Sequence, residues 1–108
     1  MEFMKDQNKR HKYMAAKLRM DIAYQVRLLR LQRQMTQAEL AEKCDTTQPA
    51  ISKIEDWIAD WPTIPTLRKI AFALDLGLVV KFDTWAEVWR SLIPSFEQDP
   101  YFKEVTTA

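Results

Sequence analysis

Two stretches of the sequence each place a glutamine directly after a threonine: Thr36-Gln37 and Thr47-Gln48. A glutamine side-chain amide offers both a donor and an acceptor, so it can form two hydrogen bonds with the edge of an adenine base. A threonine hydroxyl suits the start of a helix, where unpaired backbone N–H groups also favour an anion such as phosphate. Residues of these types at helix starts can form hydrogen bonds with a base or a phosphate, although each can also serve only its own helix.

The composition argues against catalysis and against metal or cofactor binding. Gly77 is the only glycine, so no glycine-rich phosphate loop can form. His11 and Cys44 are the only residues of their types, and one histidine with one cysteine cannot fill a zinc site. A Cys44–His11 nucleophile pair is conceivable, but Cys44 ends an apolar helical pattern, which favours a buried, inert thiol. We therefore expect no enzyme activity, no cofactor and no metal.

The chain has 108 residues, which suits one compact domain with short extensions. A single cysteine allows no intrachain disulfide, which fits a reducing compartment. The charged N-terminus offers no signal sequence, and no apolar run approaches the roughly 18 residues of a membrane span. The expectation is a cytoplasmic protein without a membrane partner.

The net charge of +1 conceals an uneven distribution. Residues 1–20 carry six lysines and arginines against two acidic residues, and residues 21–54 carry five against four. Residues 55–80 carry two against four, and residues 81–108 carry three against five. A basic first half can face phosphates, although a merely solvated basic arm would have the same composition.

Helical signals run through the first two thirds of the chain. Ile22, Val26 and Leu29 recur at helical spacing from about Asp21, the expected N-cap, to Gln34. The helix-prone segment 13–20 either extends this helix or forms a separate short one.

Two short helices follow. Thr36 and Glu39 form a capping box that starts a helix over Gln37–Cys44, and Thr47 caps a second over Gln48–Asp56. The turn between them contains Asp45, which tolerates the left-handed conformation better than most residues.

A fourth helix begins at Thr63, with Pro65 in its first turn. The predicted core of the four helices consists of apolar residues at helical spacing: Val26, Leu40, Ile51, Ile54, Leu67 and Ile70.

After Gly77 the pattern changes to that of a strand, Leu78–Phe82, with Leu78, Val80 and Phe82 on one face. A lone strand cannot satisfy its backbone, so we expect it to pair with the same segment of a second subunit in a homodimer. The alternative is an extended tail packed on its own core. Thr84 begins a last helix that we expect Pro94 to end, and the tail carries aromatic residues: Phe96, Tyr101 and Phe102.

The expected fold is thus mainly α: a compact domain of four to five helices with one C-terminal strand. We divide it into a basic N-terminal arm or helix, residues 1–20, a helical domain, residues 21–76, and a C-terminal part with the dimerisation strand, a short helix and a polar tail, residues 77–108.

Two short helices joined by a turn of about three residues are the signature of a helix-turn-helix. The run T-Q-x-E-L-A at residues 36–41, followed by T-Q-x-x-I-S-x-I-E at residues 47–55, resembles the Xre, Cro and lambda-repressor-like DNA-binding family. The resemblance extends from about Ile22 to Leu76. It implies that the second short helix is the recognition helix, which lies in the major groove of double-stranded DNA.

The physical chemistry of each position in the motif agrees with the resemblance. Gln37 and Thr47 would contact the phosphate backbone, and Gln48 would contact a base. Pro49 and Ala50 would meet a thymine methyl group, while Ser52 and Lys53 lie one turn further along. Taken singly, each has a plainer explanation: a cap, a good first-turn residue or a solvated charge.

Arg30 and Glu55 occupy positions where family members often bury an ion pair. We interpret this pair as structural, orienting the recognition helix without touching DNA.

The sequence departs from the family pattern in three places. Asp45 replaces the usual turn glycine, and Pro49 follows Gln48 where a second hydrogen-bonding residue could stand. The loop after Glu55 is about one residue longer and carries Trp57 and Trp61. Each tryptophan could cap the core, pack against the sugar-phosphate wall or contact another protein.

The predicted function is sequence-specific DNA binding that regulates transcription, most simply repression by occlusion of a promoter. One alternative is an antitoxin that represses its own operon and binds a toxin through its terminal segments. Another is a protein-interaction module that has lost DNA binding, which the acidic second half would allow.

Overall fold

The computed structural model describes residues 5–56 and 61–98, with side chains described as far as residue 91. Its backbone forms five helices in these ranges: α1 Gln7–Gln32, α2 Gln37–Lys43, α3 Gln48–Glu55, α4 Ile64–Ala73 and α5 Trp85–Gln98. The mainly helical prediction is confirmed. The chain divides into two compact units, Met1–Leu78 and Val79–Ala108. The predictions for Trp57 and for the aromatic side chains of the tail lie outside the described residues.

Helix α1 is longer than the sequence pattern suggested. Its N-cap is Asp6, whose carboxylate accepts hydrogen bonds from the N–H groups of Asn8 (3.0 Å) and Lys9 (3.2 Å). The prediction that Asp21 caps this helix is wrong, because Asp21 lies inside it and accepts from Lys17 Nζ, one turn earlier, at 2.8 Å. Residues 7–32 contain no proline or glycine, so no helix-breaking residue interrupts α1 between its N-cap and its C-terminal end.

The predicted caps of α3 and α4 are confirmed. The Thr47 hydroxyl accepts the N–H three residues later, and so does that of Thr63. Pro49 and Pro65 lie in the first turns, where a missing N–H removes no helical hydrogen bond.

Helix α2 begins with the predicted capping box. Thr36 Oγ1 accepts the Glu39 N–H at 3.0 Å, and the Glu39 carboxylate accepts the Thr36 N–H at 3.1 Å. The backbone hydrogen bond from Thr36 is the main reason that the pKa of Glu39 lies below its ordinary value.

Three helices end in the same way. Gln34, Asp45 and Asp75 have positive φ angles of 56°, 54° and 56°, and each follows a helix. The next residue donates its N–H to a carbonyl five residues back, as Thr46 does to Ala41 at 2.9 Å, which closes a Schellman motif. The left-handed Asp45 was predicted; the other two were not.

The core of the first unit lies among α1, α2, α3 and α4. Leu40 and Ile51 are fully buried, and the other buried apolar residues include Val26, Met35, Ile70 and Leu74. Two residues of the predicted core, Ile54 and Leu67, are only half-buried. Cys44 is buried as predicted, with Sγ 3.8 Å from the Lys69 carbonyl, and burial raises the pKa of its thiol.

The part of the chain after α4 differs from the sequence prediction in two respects. Residues 76–84 form no regular secondary structure, so the predicted strand Leu78–Phe82 is absent from the single chain. A strand is defined by its hydrogen-bonding partner, and the described residues contain no second strand that could serve as one.

The last helix, α5, follows Thr84, whose hydroxyl accepts the Glu87 N–H at 3.3 Å. The prediction that Pro94 ends this helix is wrong, because α5 continues to Gln98. Proline removes one backbone hydrogen bond, to the carbonyl four residues back, while the residues after it keep theirs.

Among the described helices, none is both long enough and apolar enough to cross a membrane.

Candidate DNA-binding site

Helices α2 and α3 form a compact helix-turn-helix in the first unit. The turn consists of Cys44, Asp45, Thr46 and Thr47, and the left-handed Asp45 reverses the chain between the two helices. Leu40 of α2 and Ile51 of α3 lie in the same core cluster, so the inner faces of both helices are fixed. The outer face of α3 is thereby held in one orientation.

The structure places most of the predicted DNA-contacting side chains at or near the surface. Thr47, Gln48, Pro49 and Lys53 are exposed. The remaining three, Gln37, Ala50 and Ser52, are half-buried.

Arg30 of α1 and Glu55 at the end of α3 form a bidentate ion pair. Arg30 Nε donates to Glu55 Oε2 at 2.7 Å, and Nη2 donates to Oε1 at 2.9 Å. The Glu55 side chain is only 2% exposed. Arg30 Nη1 also donates to the Met35 carbonyl at 2.7 Å, so the guanidinium links α1, the α1–α2 turn and α3. Hydrogen bonding to Glu55 raises the pKa of Arg30, which keeps the guanidinium charged.

A chain of hydrogen bonds connects this buried pair to the surface. Gln37 Nε2 donates to Glu55 Oε1 at 3.3 Å, and Gln48 Nε2 donates to Gln37 Oε1 at 2.7 Å. The two glutamines that the sequence singled out are therefore in direct contact. Sequence reasoning did not foresee this contact, nor that Glu55 would bind Gln37. The T-Q repeat signalled two similar helix starts but not the distance between them.

The comparisons with known proteins identify the family. A family model described as helix-turn-helix matches residues 26–80, about half of the chain. The chain belongs to the Xre and lambda-repressor-like helix-turn-helix family. The comparison with curated proteins and the comparison with solved structures gave no match. Family membership makes this chain a DNA-binding regulator of transcription.

This helix-turn-helix departs from the family pattern at the turn. Asp45 occupies the glycine position and still adopts the left-handed conformation, with a φ of 54°. Its N–H donates to the Glu42 carbonyl at 3.2 Å, so the turn keeps its hydrogen bonds without glycine. The substitution leaves the geometry of the motif intact.

The end of α3 in this helix-turn-helix carries a second polar contact. Ser52 Oγ donates to an Asp56 carboxylate oxygen at 3.3 Å, so the hydroxyl proton of Ser52 is already used in a hydrogen bond with the C-cap residue. The neighbouring Lys53 is the basic residue of the last turn of α3.

Trp61 lies at the start of the segment that leads into α4. The Arg19 guanidinium lies 5.1 Å from the centroid of its ring, which is a cation–π contact. This contact with α1 is none of the three roles predicted for Trp61, which stay predictions. About half of the Trp61 side chain remains exposed.

No group of three histidine, cysteine or acidic side chains in the described ranges is arranged to hold a metal ion.

Proposed function

We propose that this protein is a sequence-specific regulator that places α3 in the major groove of double-stranded DNA and represses transcription by occluding a promoter. The observation that carries the proposal is the contact between Gln48 and Gln37, because it holds an exposed amide at the N-terminal end of α3. The N-terminal residues of the second helix are those that meet base edges in this type of motif.

Gln48 is suited to adenine by its remaining hydrogen-bonding groups. One N–H of its Nε2 is engaged by Gln37. The second N–H and Oε1 are left, which match the N7 acceptor and the N6 donor of adenine. A side chain that is already oriented loses less conformational entropy when it binds.

In this proposal, Gln37 and Thr47 bind the phosphate backbone. Each stands at the start of a helix, where the dipole and the first N–H groups favour an anion. Gln37 uses one N–H on Glu55, and the other suits a phosphate oxygen.

The remaining α3 positions complete the proposed interface. Pro49 and Ala50 offer small apolar surfaces to a thymine methyl group. Lys53 suits a phosphate or a guanine, and Ser52, whose proton is used by Asp56, can still accept a hydrogen bond.

We further propose that the protein acts as a homodimer that pairs residues 78–82 of two chains. Support comes from the exposure of apolar side chains in this segment, since Val79, Val80 and Phe82 are mostly or fully exposed in one chain. Contiguous exposed apolar residues mark a surface that another molecule covers. A two-fold dimer would bind two half-sites about 34–36 Å apart.

The antitoxin alternative requires binding of a toxin through the terminal segments, and the aromatic side chains of the tail, Phe96, Tyr101 and Phe102, lie outside the described side chains. The proposal of a plain regulator rests on the helix-turn-helix alone.

Selection of bound sites from a random duplex library tests the proposal directly. We expect a two-fold symmetric motif and an affinity that falls steeply with salt, since each phosphate contact adds about 0.9 to the slope of log affinity against log salt. Gln48→Ala should erase the preference at one base of each half-site, whereas Gln25→Ala, which removes an exposed amide from α1, should not. The absence of salt-dependent affinity for duplex DNA would favour the protein-interaction module.

A further inference from the structure

The buried carboxylate of Glu55 accepts one hydrogen bond more than its ion pair requires. Oε2 accepts from Arg30 Nε, while Oε1 accepts both from Arg30 Nη2 at 2.9 Å and from Gln37 Nε2 at 3.3 Å. A carboxylate paired with arginine is ionised and can only accept hydrogen bonds. A glutamine amide in contact with this carboxylate must therefore direct its NH2 group toward the carboxylate.

This requirement fixes Gln37. Its Nε2 faces Glu55 at the end of α3, so its Oε1 faces the other way, toward Gln48 at the start of that helix. Gln48 meets that oxygen with its own Nε2 at 2.7 Å. The same argument then applies to the next side chain in the hydrogen-bond chain. The Gln37 oxygen can only accept a hydrogen bond, so Gln48 must present its NH2 group to that oxygen. The orientation of two amides thus follows from one buried charge.

The orientation of Gln48 decides which base it can pair with. Gln37 engages one N–H of the Gln48 amide, and pairing with a base in two hydrogen bonds requires that the other N–H and Oε1 face that base together. Adenine presents a donor at N6 and an acceptor at N7, whereas guanine presents acceptors at both O6 and N7. An amide held with its N–H toward N7 pairs twice with adenine and sets its oxygen against O6 of guanine.

We propose that Glu55 is a specificity-determining residue: through Gln37 it fixes the amide of Gln48 in the orientation that selects adenine over guanine. Glu55 touches no base, so it acts as a positioning residue in addition to its ion pair with Arg30. The inference rests on the proposed function, in which Gln48 contacts a base.

A Gln37 that serves only the phosphate backbone leads to a different expectation. Its loss would then weaken binding to every sequence by the same factor, and the charge of Glu55 would not affect base preference. The two hydrogen bonds predict instead that base preference changes when Glu55 loses its charge.

The decisive measurement is the ratio of affinities for two duplexes that differ only in adenine or guanine at the position selected by Gln48. The wild type should discriminate by roughly 5- to 150-fold, as one bidentate pair does. Glu55→Gln keeps the size of the side chain but allows it to donate as well as accept, so Gln37 is free to turn over. We expect the ratio to fall toward one while the salt slope stays at the wild-type value, because the phosphate contacts are kept.

Glu55→Gln also leaves the Arg30 charge buried without its partner, and it can fail to fold for that reason. The double variant Arg30→Met/Glu55→Gln removes both charges and keeps an amide beside Gln37, so it carries the test when the single variant is unfolded. Circular dichroism establishes which variant is folded before binding is measured. Ile70→Val, a mild change in the core, is the control for lowered stability without a change in this hydrogen-bond chain.

Two results separate the inference from the proposal beneath it. If Gln48→Ala leaves the adenine-to-guanine ratio unchanged, Gln48 does not contact that base and the proposed function itself is wrong. If Gln48→Ala abolishes the ratio but a folded Glu55→Gln or double variant keeps it, only the role of Glu55 is overturned. A ratio near one in the folded Glu55 variant, with wild-type discrimination in Ile70→Val, supports the proposal.

Discussion

The helix-turn-helix, residues 36–56, and the segment after α4, residues 76–84, contrast in how their apolar side chains are covered. Leu40 and Ile51 are fully buried in the first, whereas Val79, Val80 and Phe82 in the second are mostly or fully exposed. Each helix of the first begins with a threonine that satisfies its own backbone. The second needs hydrogen-bonding groups from elsewhere. Local signals can complete a helix, but a strand is completed only by a partner.

The largest expected effect concerns the buried ion pair of the helix-turn-helix. Arg30→Met should lower the free energy of unfolding by about 3–5 kcal/mol, because the Glu55 carboxylate stays buried without its partner. Urea denaturation followed by circular dichroism measures the change. Arg27→Met, at an exposed position of α1, is the matched control and should change it by less than about 0.5 kcal/mol. Equal effects of the two variants would contradict a stabilising role for the pair.

The second prediction tests whether the exposed segment needs another chain. Val80→Pro removes a backbone donor from the proposed inter-subunit ladder, so dimers should not form. Affinity for an operator with two half-sites should fall by about 100-fold, since one subunit then binds alone. Non-specific affinity should change little.

Sedimentation of the wild type and the variant measures this directly. Lys81→Ala, one residue away and on the opposite face of the proposed strand, is the control and should remain dimeric. A wild type that sediments as a monomer at tens of micromolar, roughly the range in which a weak dimer still forms, would overturn the dimer proposal.

A smaller effect should follow from the cap of α2. Thr36→Ala removes the oxygen that accepts the Glu39 N–H, at an expected cost of about 1 kcal/mol in the free energy of unfolding. Thr36→Ser keeps that oxygen and should be close to the wild type. Thermal unfolding of the three proteins compares them. Equal stabilities would show that the tertiary packing of α2, not its cap, holds the helix.

The smallest predicted effect depends on pH. The folded-state pKa of Glu39 is lowered, so its stabilising contribution is present above the ordinary pKa of a glutamate and is lost as the pH falls through the lowered value. Glu39→Gln keeps a capping side chain without the titration. The two proteins should therefore differ in stability near neutral pH and converge in acid, in urea titrations at a series of pH values. Glu42→Gln, an exposed carboxylate change in the same helix, is the control. A difference that persists in acid would contradict the assignment.

The parts of the fold that were predictable are those with short-range causes. The caps at Thr36, Thr47 and Thr63 and the left-handed Asp45 each follow from a few neighbouring residues. The cap at Asp21 was a wrong prediction because a good cap residue also serves inside a helix, where Asp21 binds Lys17.

The prediction of where α5 ends was wrong for a related reason, because Pro94 removes one hydrogen bond and does not by itself end a helix. The left-handed Gln34 gave no signal in the sequence, because glutamine does not usually mark such a position, whereas Asp75 is the same residue type as Asp45 and was missed.

In the candidate site, too, features with local causes were predictable and features that depend on distances between helices were not. The residue types at Gln37 and Gln48 indicated hydrogen bonding to DNA, and the resemblance indicated that Arg30 and Glu55 pair. That all four belong to one hydrogen-bond chain depends on distances between α1, α2 and α3, which residue spacing does not encode.

The reactivity of the single thiol of this protein can report how often the helix-turn-helix opens. Cys44 is buried at the end of α2, against the backbone of α4. A thiol reagent can reach Sγ only while the packing of these helices is open, and the raised pKa keeps the thiolate scarce. The labelling rate of the unmodified chain therefore counts opening events. If DNA binding tightens the motif, added operator should slow the labelling in proportion to occupancy, with no engineered probe required.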